Sequence, residues 1–393
     1  MPGSTIVDLL LILLLVSYLA SGFRSGLIGS LSSIVGLIAG GIAAYFLVPL
    51  VGTWVPAAEW RTVATLATAG VLLVGGLSLG GSIGRALRPR GARTKLRLAD
   101  RMLGSGAAVV ASALVVSMLA FSIGGLGVPL LSPAIASSGV IRSIDSLTPD
   151  PLKAFLAQLR SVVVSEGLPR VVEAFNGPVP TIPAVTADSD ALLAARQSVM
   201  KITGTAYACG QNQSGSGFVI AEDRVLTNAH VVAGVTEPMV VTPGGSARPG
   251  QVVYFDPVVD LAVIAVTGLA APALDLGPNL AVGSRAVSDG YPYGGPFDSA
   301  PAQVVAVAPA LVADIYGKEP AQRQIYTLAA DVQHGESGGP LLSEAGQVAG
   351  VIFAKSTVTK NVGYALAMEE VDPVAAQAAA LAAPVSSGDC IRG

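Results

Sequence analysis

Four long apolar runs fill the first third of the chain, at roughly 5–22, 27–50, 62–84 and 103–124. Each is long enough, or nearly so, to cross about 30 Å of hydrocarbon at about 1.5 Å per helical residue. The pattern predicts an α-helical membrane domain of four spans over residues 1–126. The first run reads as a retained anchor rather than a secretory leader, because no basic segment precedes it, Asp8 stands before its apolar core, and three more runs come after it. Gly36-xxx-Gly40 and Gly76-xxx-Gly80-xxx-Gly84 put small residues at four-residue spacing, which lets helices pack backbone to backbone. No ionisable residue follows Asp8 within the runs, which weighs against a transporter.

The texture then changes twice. From about 139 to 176 the apolar residues recur at helical spacing between polar ones, as in Pro151-Leu-Lys-Ala-Phe-Leu-Ala-Gln-Leu-Arg160. Pro178, Pro180 and Pro183 punctuate the next stretch, so 127–187 is expected to be an amphipathic and proline-rich linker, exposed and open to self-cleavage. From 188 to 393 short β-branched runs alternate with glycine and proline turns: 199–203, 217–220, 251–255, 261–266, 303–307 and 348–353. Strands of this length and spacing predict an all-β domain, with a closing helix over the alanine-rich 372–383.

Composition and charge fix the surroundings. Charged residues make up 12% of the 393 and hydrophobic ones 52%, against about 25% charged in soluble chains. A net charge of −3 leaves no basic footprint for nucleic acid. Arg85, Arg88, Arg90, Arg93, Lys95, Arg97 and Arg101 crowd between the third and fourth runs, opposed only by Asp100, and short loops this basic stay cytoplasmic. Four spans then place both termini outside, in a multi-pass inner-membrane protein with its β domain on the periplasmic side and the lipid bilayer as partner. Arg24 in the first loop agrees, and Trp54 and Trp60 flank the second loop where an interfacial belt would hold them. Only two cysteines occur, Cys209 and Cys390, both in the part assigned to the oxidising side, which suggests one disulfide.

Gly335-Glu-Ser337-Gly-Gly-Pro340 is the stretch richest in chemistry. A serine needs an adjacent base, itself oriented by a carboxylate. There are two histidines. His334 shares the serine's loop, whereas His230, in Leu226-Thr-Asn-Ala-His-Val-Val232, comes from a separate element and is favoured as the base. Asp260, heading the apolar run Leu261–Val266, is the expected orienting acid, with Asp256 as competitor.

Thr227-Asn-Ala-His230, Asp260-Leu-Ala-Val263 and Gly335-xxx-Ser337-Gly-Gly-Pro340, in that order, resemble the trypsin-like serine proteases, and within them the bacterial HtrA-type branch; Gly215-Ser-Gly217-Phe218 matches the approach to that family's second strand. The resemblance covers about 190–370. It implies two six-stranded β-barrels with the site between them, a triad of His230, Asp260 and Ser337, oxyanion donors at the backbones of Gly335 and Ser337, protein or peptide substrates in the cell envelope, and no metal or cofactor. Too few residues follow Leu366 for the peptide-binding module that HtrA proteins usually carry. The front half resembles the colicin V production family, and the combination resembles actinobacterial membrane-anchored periplasmic proteases of acid and oxidative stress resistance.

Substrate preference stays open. Asp331 sits six residues before Ser337, where trypsin-like enzymes place the acid that receives a lysine or arginine side chain, but HtrA-type enzymes have a small residue there, and the aspartate would then pair elsewhere. If the family's following strand carries over, Phe353, Ala354 and Lys355 form the pocket wall, the lysine opposing basic side chains. His334 at the rim is placed to sense acid. A membrane scaffold whose barrel domain binds peptides without turnover is the competing function, and the complete triad argues against it.

Overall fold

The computed structural model describes residues 2–55, 58–86, 94–124, 134–135, 138–161, 177–185, 187–206, 211–318 and 320–391. They divide into two compact units, one holding the chain up to Gly124 with Ala134–Pro149, the other holding the chain from Asp150 onward.

The first unit is helical: α1 (Pro2–Trp54), α2 (Ala58–Ala86), α3 (Thr94–Gly124) and the short α4 (Gly139–Leu147). Among the described residues three helices are long and apolar enough to span a membrane, Ser4–Val48, Val63–Ala86 and Leu98–Ser117. The first two expected runs both fall in α1, which helical residues carry past Arg24 and Ser25. Its apolar stretch Ser4–Val48 holds 45 residues, about twice what one crossing needs. Helical geometry fails within it at Gly26, with φ 68° and ψ −178°. The break frees the N–H of Leu27, and Asp100 of α3 accepts it at 3.0 Å. The Arg101 guanidinium lies over the Phe23 ring, 5.5 Å from its centroid.

The two glycine ladders meet each other. A Cβ at Gly36 would stand 2.1 Å from the Gly76 carbonyl, and one at Gly80 would stand 2.1 Å from the Ser32 carbonyl. Helices α1 and α2 therefore touch backbone to backbone. At the start of α1, Asp8 caps α4, accepting from the Gly139 and Val140 N–H groups, each at 3.1 Å, and from the Ser138 hydroxyl.

The second unit begins with α5 (Asp150–Ser161), an extended stretch through 177–188, and α6 (Asp190–Ala195). The proline segment is not free: the Pro180 carbonyl accepts from the Asn361 side chain, and Val185 and Ala187 pack against the core. Residues 162–176 of the expected amphipathic stretch lie outside the described ones.

Among the described residues thirteen strands complete the unit. The expected pair of six-stranded barrels is one closed barrel, in the order β10-β13-β12-β11-β8-β9, and one seven-stranded antiparallel sheet, β5-β4-β1-β2-β3-β7-β6. The sheet comprises β1 (Val199–Ala206), β2 (Gln211–Ala221), β3 (Arg224–Thr227), β4 (Met239–Val241), β5 (Ala247–Pro249), β6 (Gln251–Asp256) and β7 (Leu261–Ala265). Its terminal strands β5 and β6 are consecutive in the chain, with Gly250 at the corner donating to the Pro238 carbonyl at 2.8 Å. That corner splits one strand into two and raises the count to seven.

The barrel comprises β8 (Arg285–Gly290), β9 (Asp298–Val312), β10 (Ala321–Ala329), β11 (Pro340–Ser343), β12 (Val348–Lys355) and β13 (Val362–Leu366). Between β3 and β4 lies the single turn α7 (Ala229–Val232); α8 (Met368–Ala378) closes the domain, starting and ending earlier than the sequence suggests. One core cluster joins the halves: Phe218, Leu226 and Val263 of the sheet pack with Phe353, Tyr364 and Leu366 of the barrel and with Val371 and Val374 of α8. The last residues wrap the sheet, with Val385 N–H donating to Val252 O at 2.9 Å and Gly234 N–H to Ser387 O at 3.0 Å.

Filling the glycine seam tests it. Gly80→Ile must push α1 and α2 apart, and we expect it to cost about 1–3 kcal/mol, read as a lower thermal midpoint of the full-length protein in detergent. An unchanged midpoint would show that the helices do not depend on this contact.

Candidate active site

Asp256 and Asp260 have separate tasks. The Asp256 carboxylate accepts the N–H groups of Val258 at 2.8 Å and Val259 at 2.9 Å, closing the turn after β6. The turn leaves Asp260 at φ +67°, an unfavourable left-handed conformation for a residue with a Cβ. Strained there and fully buried, its Oδ2 lies 2.8 Å from His230 Nδ1, and its Oδ1 accepts the His230 backbone N–H at 2.9 Å. Asn228, the residue before α7, donates its side-chain amide to the Asp260 carbonyl at 2.8 Å. His230 is thus held by ring and backbone together, and Asp256, the competitor, does not face it.

Ser337 stands on the loop between β10 and β11, docked on β2. Its carbonyl accepts the Ser216 N–H at 2.8 Å, and a Cβ on Gly215 would meet both that carbonyl, at 3.1 Å, and Val231, the neighbour of His230, at 2.5 Å. One residue on, a Cβ at Gly338 would meet Ser216 O at 2.2 Å, Thr227 Oγ1 at 2.3 Å and Asn228 N at 3.0 Å. The segments carrying serine and histidine therefore both pack on the Gly215-Ser216 backbone. Among the described residues no hydrogen bond joins the Ser337 hydroxyl to the His230 ring; such bonds are often long in unloaded sites and tighten around substrate.

Gly335 takes φ +91°, packed so closely on Tyr291 O, Tyr293 N and Gly294 N that a Cβ would fall 2.6–2.9 Å from them. Among the described residues neither its N–H nor that of Ser337 makes a hydrogen bond. Two unspent donors beside the serine hydroxyl are what an oxyanion needs.

The expected pocket residues are arranged differently. Asp331 is exposed, and its carboxylate accepts the Gln333 side-chain amide at 2.6 Å. His334 is half-buried, its carbonyl accepting the Tyr293 N–H at 2.5 Å. Phe353, at a bulge of β12, and Ala354 are 0% and 1% exposed within the core cluster, so neither presents side-chain surface to a substrate. Cys209 lies outside the described residues, and with it the expected pairing to Cys390.

Residues 215–351 match the trypsin-like peptidase domain model, and residues 7–149 match that of colicin V production protein. The serine protease Rv3671c of Mycobacterium tuberculosis strain H37Rv is 35% identical over 381 residues, 94% of this chain and 95% of that one; MT3772 of strain CDC 1551 matches to the same extent. The chain belongs to the Rv3671c family of serine proteases. The crystal structure of Rv3671c protease in its active form superposes with a TM-score of 0.51 at 37% identity, covering 57% of this chain and all of that one. The chain is accordingly a serine protease joined to a membrane-associated helical region.

The structure adds groups that the motifs alone do not reveal. Ser216 sends its hydroxyl to Gly335 O at 2.7 Å and accepts Tyr291 N–H at 2.9 Å. Arg323 of β10 is 2% exposed and reaches Ala313 O at 2.9 Å and Val259 O at 3.4 Å, behind the Asp260 turn. Burial pulls its pKa down, and the negative charge of Asp260 opposes that most. An arginine among alternating strand residues looks solvent-facing, so only the fold exposes its role.

Glu336 is 1% exposed, with its Oε2 accepting Gln333 N–H at 2.6 Å. Burial pushes its pKa up to about 8 from an ordinary 4.5; the Gln333 N–H opposes this, Asp298 and Asp331 add to it, and Lys355 lowers it. The folded serine protease keeps this proton where the unfolded chain loses it. Its contribution is therefore full below pH 4.5 and declines as pH rises toward 8, by up to about 1.4 kcal/mol per pH unit. Glu336→Gln, which cannot ionise, should remove that slope. Urea midpoints of parent and variant from pH 5 to 8 should diverge in the variant's favour as pH rises; parallel curves would contradict the assignment.

Proposed function

We propose that this protein is a membrane-anchored serine endopeptidase in which Ser337 is the nucleophile, His230 the general base and acid, Asp260 the group that orients and stabilises the imidazolium, and the Gly335 and Ser337 N–H groups the oxyanion donors. The 2.8 Å contact of His230 Nδ1 with the fully buried Asp260 carries the reading, because it fixes the ring with Nε2 free for the serine proton. As Oγ bonds to the substrate carbonyl carbon, its proton passes to Nε2. The imidazolium gives that proton to the leaving amine as the C–N bond breaks, and water repeats the sequence on the acyl-enzyme. Triad and oxyanion donors are all protein groups, so these steps draw on no cofactor.

The break at Gly26 supports reading α1 as two crossings, which with α2 and α3 makes four. The arginine-rich segment between α2 and α3 would then face the cytoplasm and the protease would sit on the periplasmic side of the inner membrane. The exposed Trp54 and Trp60 support the opposite boundary. In this reading 1–126 is the membrane domain, 127–187 the linker and 188–393 the protease domain. Val179, 58% exposed in the proline-rich part of the linker, is a candidate position for self-cleavage. Substrates would be envelope proteins, and likeness to the mycobacterial enzymes supports a role in resisting acid or envelope stress.

Cys390 lies against Gly234, whose Cβ would stand 2.9 Å from its Sγ and 3.3 Å from the Ala206 Cβ. That position, beside a residue three before Cys209, supports a Cys209–Cys390 disulfide.

Ser337→Ala in the full-length protein should abolish fluorophosphonate labelling and peptide cleavage without lowering the melting temperature, and should fail to restore acid survival to a deletion strain. Gly335→Ala should lower kcat by about 10²–10³ through a misplaced donor. Labelling retained in Ser337→Ala would overturn the nucleophile assignment. Cys390→Ser should lower the melting temperature under non-reducing conditions, the loss reaching at most about 5 kcal/mol. If reductant leaves the parent's melting unchanged, the clamp is unimportant.

A further inference from the structure

Helix α5 ends up against the active-site loop by a short relay of contacts. Its Ala157 is 9% exposed, and a Cβ on Gly295 would stand only 2.7 Å from the Ala157 Cβ. Gly295 closes the turn that begins at Tyr291, donating its N–H to Pro292 O at 2.9 Å while Gly294 donates to Tyr291 O at 2.8 Å. Within that turn Tyr293 is held at φ +56°, a strained value for a tyrosine. Its N–H reaches His334 O at 2.5 Å and its hydroxyl donates to Gln333 Oε1 at 2.7 Å. The same turn packs directly on Gly335. Every link from Ala157 to the Gly335 N–H is thus a van der Waals contact without slack or a hydrogen bond.

We propose that α5 is a positioning element of the active site: seated on Gly295 through Ala157, it holds the Tyr291–Gly295 turn against the loop that carries the Gly335 donor. The proposal rests on the serine-protease reading of that donor and deepens it. With α5 docked, the His230–Asp260 pair is closed and the Gly335 and Ser337 N–H groups are unspent among the described residues, which sets the direction of the effect. Undocking removes the support, lets the strained turn relax, and misplaces a donor whose value depends on position within tenths of an ångström. Only Thr148 and Pro149 separate α5 from α4, the last helix of the membrane unit. A change there has a covalent path to the turnover rate.

A methyl swap tests this in the full-length protein. Gly295→Ala adds a methyl where Ala157 already has one, and should lower kcat about tenfold with KM nearly unchanged, as expected for an interaction realised in the transition state. Ala157→Gly combined with Gly295→Ala returns the missing space and should restore kcat to within threefold of the parent. Ala157→Glu leaves the turn's sequence intact and should also lower kcat about tenfold, which keeps the test alive if Gly295→Ala does not fold. Parent-like kcat in Gly295→Ala or Ala157→Glu, or a double variant no better than Gly295→Ala, would overturn the proposal. Fluorophosphonate labelling of the parent, lost in Ser337→Ala, separates the two levels: an unlabelled parent refutes the nucleophile itself, and the positioning role with it.

Discussion

One residue, Ser216, ties the sheet to the catalytic loop. Its N–H holds the Ser337 carbonyl at 2.8 Å, its hydroxyl bridges the Gly335 carbonyl and the Tyr291 N–H, and its carbonyl takes the Thr227 hydroxyl at 2.7 Å. All four bonds are buried, where they are strong and where losing one leaves an unpaired group. Histidine and aspartate belong to the sheet, serine and its neighbouring N–H groups to the barrel. The chemistry exists only while the two are in register, and Ser216 sets that register. Arg323 makes a second tie from the opposite direction, from β10 to the carbonyl just before Asp260.

How much of this is legible in the sequence depends on whether a feature is local. The motifs around His230, Asp260 and Ser337 are local, because each residue needs a particular turn around it, and those turns have recognisable sequences. Asp256 illustrates the same point: an aspartate before a proline closes its own turn, which removes it from competition for the histidine. Strands β1, β2, β6, β7, β9 and β12 announce themselves by β-branched runs. Strands β8 and β10 do not, since Arg285-Ala-Val-Ser-Asp-Gly290 and Ala321-Gln-Arg-Gln-Ile-Tyr326 carry polar residues that the tertiary structure buries. Burial of Asp289 and Arg323 is a property of the assembled barrel, invisible in either strand alone. The surroundings of the expected pocket residues are invisible for a related reason. Counting back from Ser337 finds Asp331, but nothing in the count shows the carboxylate turned to Gln333 or Phe353 turned into the core.

The membrane unit gives the reverse case. Its glycine ladders are readable, because four-residue spacing defines one helical face whatever the neighbours are, and the two ladders do meet. The division between the first two runs is readable as well, since the short dip in hydropathy around Arg24 flanks the point where helical geometry fails. What interrupts the helix is a single glycine conformation at Gly26, made tolerable by Asp100 taking up the released N–H of Leu27.

The wrapped C-terminus has a consequence for how the molecule behaves among unfolded clients. A protease works on extended chains, and an unpaired strand edge offers any such chain a ladder to join. In this domain the tail lies on that edge: Val385 occupies the Val252 carbonyl, and Ser387 fastens the tail to Gly234 and Val235. At Val252 the rim of the sheet is thus already engaged by the protein's own chain, which leaves less of that edge open to an incoming strand.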